Sequence, residues 1–137
     1  MKLPRVGENL KGFTISDDLV GSVQVTLSPS DIATFVETKH FGMLKWYLYS
    51  IPLIIFYQLE PDDGSALSIR GPESVFGPVL IFGYDGSPRS LTDFELQCMK
   101  SHVTMERYGD DYTIILNDIS KNVIKGGLSI DVQSIVC

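Results

Sequence analysis

Cys98, His102 and Glu106 recur at intervals of four. On a continuous helix they would line one face and offer a thiolate, an imidazole and a carboxylate to a metal ion. Three donors of mixed type are fewer than a closed structural zinc site takes, and the helical pattern runs out near residue 102. A buried cysteine beside a surface histidine and glutamate is the plainer reading. His40, next to Lys39 and close to Glu37, has the chemistry of a general acid or base, but no motif places a serine or cysteine nucleophile with it. A histidine near a helix end is accounted for by the helix dipole. The doublets Asp17-Asp18, Asp62-Asp63 and Asp110-Asp111 would suit a magnesium-dependent nuclease or phosphatase if strand ends brought them together. Aspartate also favours solvated turns, where each doublet falls. The glycines form neither GxGxxG nor GxxxxGK[ST]. These residues predict no catalytic group, no metal and no cofactor.

The stretch Phe41 to Leu59 is the stronger lead. Fourteen of its nineteen residues are apolar, yet it contains Lys45, Ser50, Pro52 and Gln58. Its length is just sufficient to cross a bilayer, but the density of aromatic and β-branched residues favours strands. In a strand, Trp46, Leu48 and Ser50 face one way while Lys45, Tyr47 and Tyr49 face the other. Apolar residues on both sides predict a central strand covered on both faces. The functional alternative makes Lys45, Trp46, Tyr47 and Tyr49 part of an interface with lipid or a second subunit.

Charge supplies the second lead. The chain has 137 residues, 44% apolar and 20% charged, with a formal net charge of −6. That length buries most apolar surface without staples, and the composition argues against general disorder. An acidic balance disfavours a fold-wide nucleic-acid surface. Lys2, Arg5 and Lys11 against Glu8 give residues 1–12 a net +2, leaving −8 for the remainder. We therefore expect a basic N-terminal arm, 1–12, on an acidic domain, 13–137, suited to docking on anionic lipid or on a neighbouring copy. The cysteines, Cys98 and Cys137, belong to no CxxC pair, and the N-terminus has no apolar signal-peptide core. An intracellular setting is expected.

The elements that would position these groups can be placed along the chain. Val23, Val25 and Leu27 alternate with polar residues, predicting a strand. Ser28-Pro29-Ser30-Asp31 then opens a helix over 29–38, with Ile32, Phe35 and Val36 on one face. Strands follow at about 42–50 and 53–59, a turn at 61–65 and a strand at 66–70. After a loop bracketed by Gly71-Pro72 and Gly77-Pro78, the run 79–84 leads through Asp85-Gly86-Ser87-Pro88 into a helix over 91–102. In that helix Thr92 and Glu95 offer a capping box, and Leu91, Phe94 and Cys98 share a face. A hairpin over 103–117 and a last strand through Leu128, Ile130 and Val132 complete the pattern. Ser28-Pro29 and Ser87-Pro88 stand at a constant offset of 59, which duplication or shared capping chemistry would explain. The fold class expected is α+β, mainly antiparallel sheet with two short amphipathic helices packed on it, in a single domain.

Three stretches give the chain a family resemblance: Ser30-Asp31-Ile32-Ala33 with Val36 leading into the aromatic run, Leu91-Thr92-Asp93-Phe94 opening a later helix, and Val103 with Glu106 before Tyr112–Leu116 and Asn117-Asp118-Ile119-Ser120. In order and spacing they resemble the core domain of rhabdovirus-type matrix proteins. The resemblance implies a non-enzymatic structural protein that self-associates, contacts the inner membrane leaflet and the viral nucleocapsid, and supports assembly and budding. It implies a membrane-peripheral location in the host cytoplasm and the virion, with Lys2 to Lys11 as the docking arm. Members of that family are usually basic with a long lysine-rich N-terminus, whereas this domain is acidic, and it carries no PPxY or PTAP motif. The rival expectation is a cytoplasmic immunity or antitoxin-type inhibitor, whose acidic surface would occlude a basic toxin nuclease.

Overall fold

The computed structural model describes residues 8–16, 19–38, 40–48, 51–59, 67–70, 75–108, 111–116, 119–120 and 133–136. The expected turn at 61–65, the strand through Leu128–Val132, Cys137 and the doublets Asp17-Asp18 and Asp62-Asp63 lie outside these residues, as does Asp110. The elements run β1 (Asn9–Ile15), β2 (Val20–Thr26), α1 (Pro29–Val36), β3 (His40–Leu48), β4 (Ile51–Gln58), β5 (Leu67–Arg70) and β6 (Val75–Tyr84). They continue as β7 (Pro88–Arg89), α2 (Asp93–Ser101), β8 (Val103–Tyr108), β9 (Asp111–Leu116), β10 (Ile119–Ser120) and β11 (Gln133–Val136). All the strands join one sheet, antiparallel except where β5 runs parallel to β9. The class is α+β, as the sequence predicts.

β6 organises the sheet. One of its edges pairs with β4, which pairs with β3. Its other edge is shared by β5 at Val75–Gly77, β1 at Val79–Ile81 and β7 at Gly83–Tyr84. The sheet therefore forks, with β1–β2 leaving as one branch and β5–β9–β8 as the other. The Gly77-Pro78 peptide, which is cis, stands between the two branch points.

Because side chains alternate along a strand, the centre of the sheet has two apolar faces. On the first, Leu44, Trp46, Leu48, Leu53, Ile55 and Ile81 pack with Phe13 and Ile15 of β1 and with Leu91 and Met99 at α2. On the second, Phe41, Met43, Ile54, Phe56, Leu80 and Phe82 pack with Ile32 and Val36 of α1. Phe56 lies edge-on to Phe41 and to Phe82, with ring centroids 6.0 and 6.3 Å apart. Burial on both faces is what the continuous apolar run of β3 and β4 requires.

α1 starts where its sequence says it should. Ser28 Oγ accepts the Asp31 amide hydrogen bond, Pro29 occupies the first turn, and the helix stops at Glu37 in the left-handed conformation at φ 60°. In α2, Thr92 and Glu95 form the expected reciprocal capping box. Its buried face differs from expectation. Leu91, Glu95 and Met99 point inward, while Phe94 is 70% exposed and Cys98 only half-buried. Glu95 has a cation partner inside the fold and Phe94 does not need one, so the helix rotates to bring the carboxylate in. The offset between Ser28-Pro29 and Ser87-Pro88 has no structural counterpart: Ser28 caps a helix, whereas Pro88 begins β7 and the second cap is Thr92.

Candidate functional site

The aromatic strand distributes its side chains as the period of two demands. Trp46 is 1% exposed and Leu48 is fully buried on the first face. Lys45 and Tyr47 are half-buried on the opposite face. Lys45 Nζ lies 4.9 Å from the centroid of the Tyr84 ring, a cation–π contact between β3 and the end of β6. Tyr47 pairs through its backbone with Pro52 on one side and Ser120 on the other. Lys45, Tyr47 and Tyr84, each half-buried, thus share one face of the sheet as a cationic and aromatic group. Trp46, expected with them, belongs instead to the core. Its indole Nε1 is buried and has no hydrogen-bond partner among the described residues. Tyr49 lies outside the described residues.

The basic arm is expected over residues 1–12, with Lys11 in it. Asn9 already begins β1, so Lys11 sits on a paired strand. Lys2 and Arg5 lie outside the described residues. The Lys11 amide donates to Ser90 Oγ at 3.0 Å and its carbonyl accepts from Leu91 at 2.8 Å. Its ammonium approaches Asp93 Oδ1 at 3.5 Å, an exposed pair worth little in water. Beside that pair, Lys11, Ser22, Val23, Gln24, Asp93 and Leu96 line an open groove of about 260 Å³ between β2 and α2. Missing β1 has a simple cause: Lys11 and Gly12 interrupt its apolar alternation, and its burial comes from neighbours distant in sequence.

The strongest electrostatic feature is one that motif reading missed. Arg89 Nη1 and Nη2 donate to Glu95 Oε1 and Oε2, each at 3.0 Å. Glu95 Oε1 also accepts from the Thr92 amide at 2.9 Å. The Arg89 hydrogen bonds hold the Glu95 carboxyl down at about 2, against the opposing effect of burial, and Glu95 in turn raises Arg89. An Arg–Glu pair separated by six residues across a helix cap acts as a structural clamp between β7 and α2.

Among the described residues the remaining chemical candidates do not converge. α2 ends at Ser101, His102 is its C-terminal cap, and Glu106 belongs to β8, so the four-residue spacing of Cys98, His102 and Glu106 is not carried by one helix. No group of three metal-ligating side chains occurs among the described residues. His40 opens β3, three residues beyond the C-cap Glu37 of α1, with its amide donating to Thr38 Oγ1 at 3.1 Å. Asp111 begins β9. Phe41–Leu59 forms the antiparallel β3–β4 pair, and no described helix is long and apolar enough to cross a membrane. No protein family, curated protein or solved structure matches this chain.

Proposed function

We propose that this chain is a non-enzymatic, matrix-like structural protein that self-associates and touches an anionic membrane surface through the Lys45, Tyr47 and Tyr84 group. The proposal extends to contact with a viral nucleocapsid and to assembly and budding. The observation that carries it is the division of β3 into a buried side, Trp46 and Leu48, and a half-exposed cationic and aromatic side, Lys45 and Tyr47. Tyrosine and lysine together suit the headgroup boundary, where a ring rests against acyl chains and an ammonium stays with phosphate. The resemblance to rhabdovirus-type matrix proteins supports the same reading, since its stretches open α1 after a strand, open α2, and fall on the β8–β9 hairpin in the family's order. Each basic residue near a surface contributes about 1 kcal/mol, so one copy binds weakly and an assembly binds well.

Co-sedimentation with vesicles tests this. Binding to phosphatidylserine-containing vesicles that fades with salt, and falls in Lys45→Glu and Tyr47→Ser, is expected. A chain that ignores anionic vesicles at every concentration refutes the membrane role.

A second reading, the acidic inhibitor of a basic toxin nuclease, draws support from the start of α2. There Phe94 is 70% exposed beside Asp93, whose side chain is 87% exposed. An aromatic anchor flanked by a carboxylate suits a basic protein surface. Tight, salt-sensitive one-to-one binding to such a nuclease, lost in Phe94→Ala, distinguishes it.

A further inference from the structure

We infer that two copies of this chain associate by pairing their β2 strands edge to edge, antiparallel about Val23. This names the surface for the self-association proposed above and rests on that reading. Among the described residues β2 pairs with β1 alone, over an unbroken register from Val20 to Thr26. The backbone of Lys11 shows which way the ladder points. Its N–H goes to Ser90 and its C=O to Leu91, away from β2. In an antiparallel pair the residue opposite such a position also turns its backbone groups away, and the direction alternates. Lys11 stands opposite Gln24. The N–H and C=O of Gln24, and by the same alternation those of Val20, Ser22 and Thr26, therefore face away from β1, along an edge that no other described strand pairs with.

The sequence of β2 itself carries none of the devices that blunt an edge. Val20-Gly-Ser-Val-Gln-Val-Thr26 contains no charge and no proline, and its register shows no bulge. Another outer strand, β8, carries Glu106 and Arg107 in its sequence. Ser22 and Gln24 are exposed, and the groove of about 260 Å³ beside them leaves room for side chains of an added strand.

The occupant follows from the complementarity of β2 with itself. A two-fold axis through Val23 sets Ser22 opposite Gln24 of the second copy and Val20 opposite Thr26, so all the outward-facing residues meet in one register. About eight new backbone hydrogen bonds result. An uncharged strand brings no like charges into contact, which matters for a chain of net charge −6. The long-range repulsion that remains is screened by salt, so the dimer strengthens with ionic strength while lipid binding weakens.

Sedimentation of the full chain over a range of concentrations, with amide hydrogen exchange read residue by residue, tests this. The chain is expected to dimerise, with the Val20, Ser22, Gln24 and Thr26 amides becoming protected as concentration rises. Gly21, Val23 and Val25 are expected to be protected throughout by β1. Gln24→Pro removes only an outward donor, and Ser22→Lys sets charge on the edge; each should weaken dimerisation roughly tenfold or more with an unchanged thermal midpoint. A dimer that survives both variants, or forms without new protection at those four amides, overturns the inference and leaves self-assembly standing. A chain that binds vesicles but stays monomeric, or an edge that takes other extended peptides and never its own copy, overturns the inference too. A monomer that also ignores vesicles overturns this inference and the proposed function together.

Discussion

Arg89 reaches Glu95 by passing its side chain over Gly83, where the strand has no side chain of its own. A Cβ at position 83 would lie 2.6 Å from Arg89 Cζ and Nη1. Gly83 pairs with Arg89 across the β6–β7 ladder and with Leu53 across the β6–β4 ladder, so it belongs to the middle of the sheet. The clamp thus ties the sheet to the first turn of α2, whose capping box uses the same Glu95 carboxylate.

Stability should fall in acid through this group. Glu95 titrates at about 2 in the fold against an ordinary 4.5. Above 4.5 it is ionised in the folded and unfolded states alike, and its stabilising contribution is fully present. As pH falls below 4.5 the unfolded chain takes the proton first, so the contribution declines and is gone below about 2. Glu95→Gln keeps a capping side chain but loses the charge. It should cost about 1.5–3 kcal/mol at neutral pH and flatten the pH dependence between 4.5 and 2. Urea denaturation at several pH values checks both; a parallel acid decline in the variant would assign the effect elsewhere.

Gly83→Ala should act through Arg89. The atoms a methyl group meets are at the end of a flexible side chain, which can move aside only by leaving Glu95. A loss of about 1.5–3 kcal/mol is expected in the wild-type background, and much less when Arg89→Ala is already present. A double-mutant cycle measures the difference, and strict additivity would contradict the contact.

Trp46 is the only tryptophan, so its emission reports one site. At 1% exposure it should emit at short wavelength and resist quenching by acrylamide. If membrane contact is made through Lys45 and Tyr47, adding anionic vesicles leaves that emission unchanged, because Trp46 faces the other way. A shift on vesicle addition would show that β3 leaves the core when it binds.

The helix caps should each contribute a modest, separable amount. Ser28→Ala and Thr92→Ala are each expected to cost about 1 kcal/mol. Thr92→Ala should also weaken the pairing of Glu95 with Arg89, because the same first turn orients the carboxylate. Thermal denaturation of the single variants and of Thr92→Ala with Glu95→Gln would show coupling at α2 and none at Ser28.

Much of the fold is legible locally. The alternation through Val23 and Val25, the Ser28-Pro29 entry to α1, the aromatic strands β3 and β4, and the Thr92–Glu95 box depend on residues within a few positions of one another, and the structure keeps them. The alternation of Lys45 and Tyr47 against Trp46 and Leu48 was equally readable. What stayed hidden was which of those sides the surface keeps, since that depends on how the two faces of the sheet are covered.

By itself the sequence determined the class of the fold, its helix caps and the two-sided apolar character of its central strands, because neighbouring residues set backbone preference and periodicity. Tertiary structure alone decided the rest. β1 exists as a strand because β2 and β6 flank it and Ser90, 79 residues on from Lys11, completes its edge. α2 turns Glu95 inward and Phe94 outward because Arg89 and the gap at Gly83 wait on the sheet. Burying a charge requires a partner at a fixed place in space, and no local pattern of hydrophobicity specifies where that partner will stand.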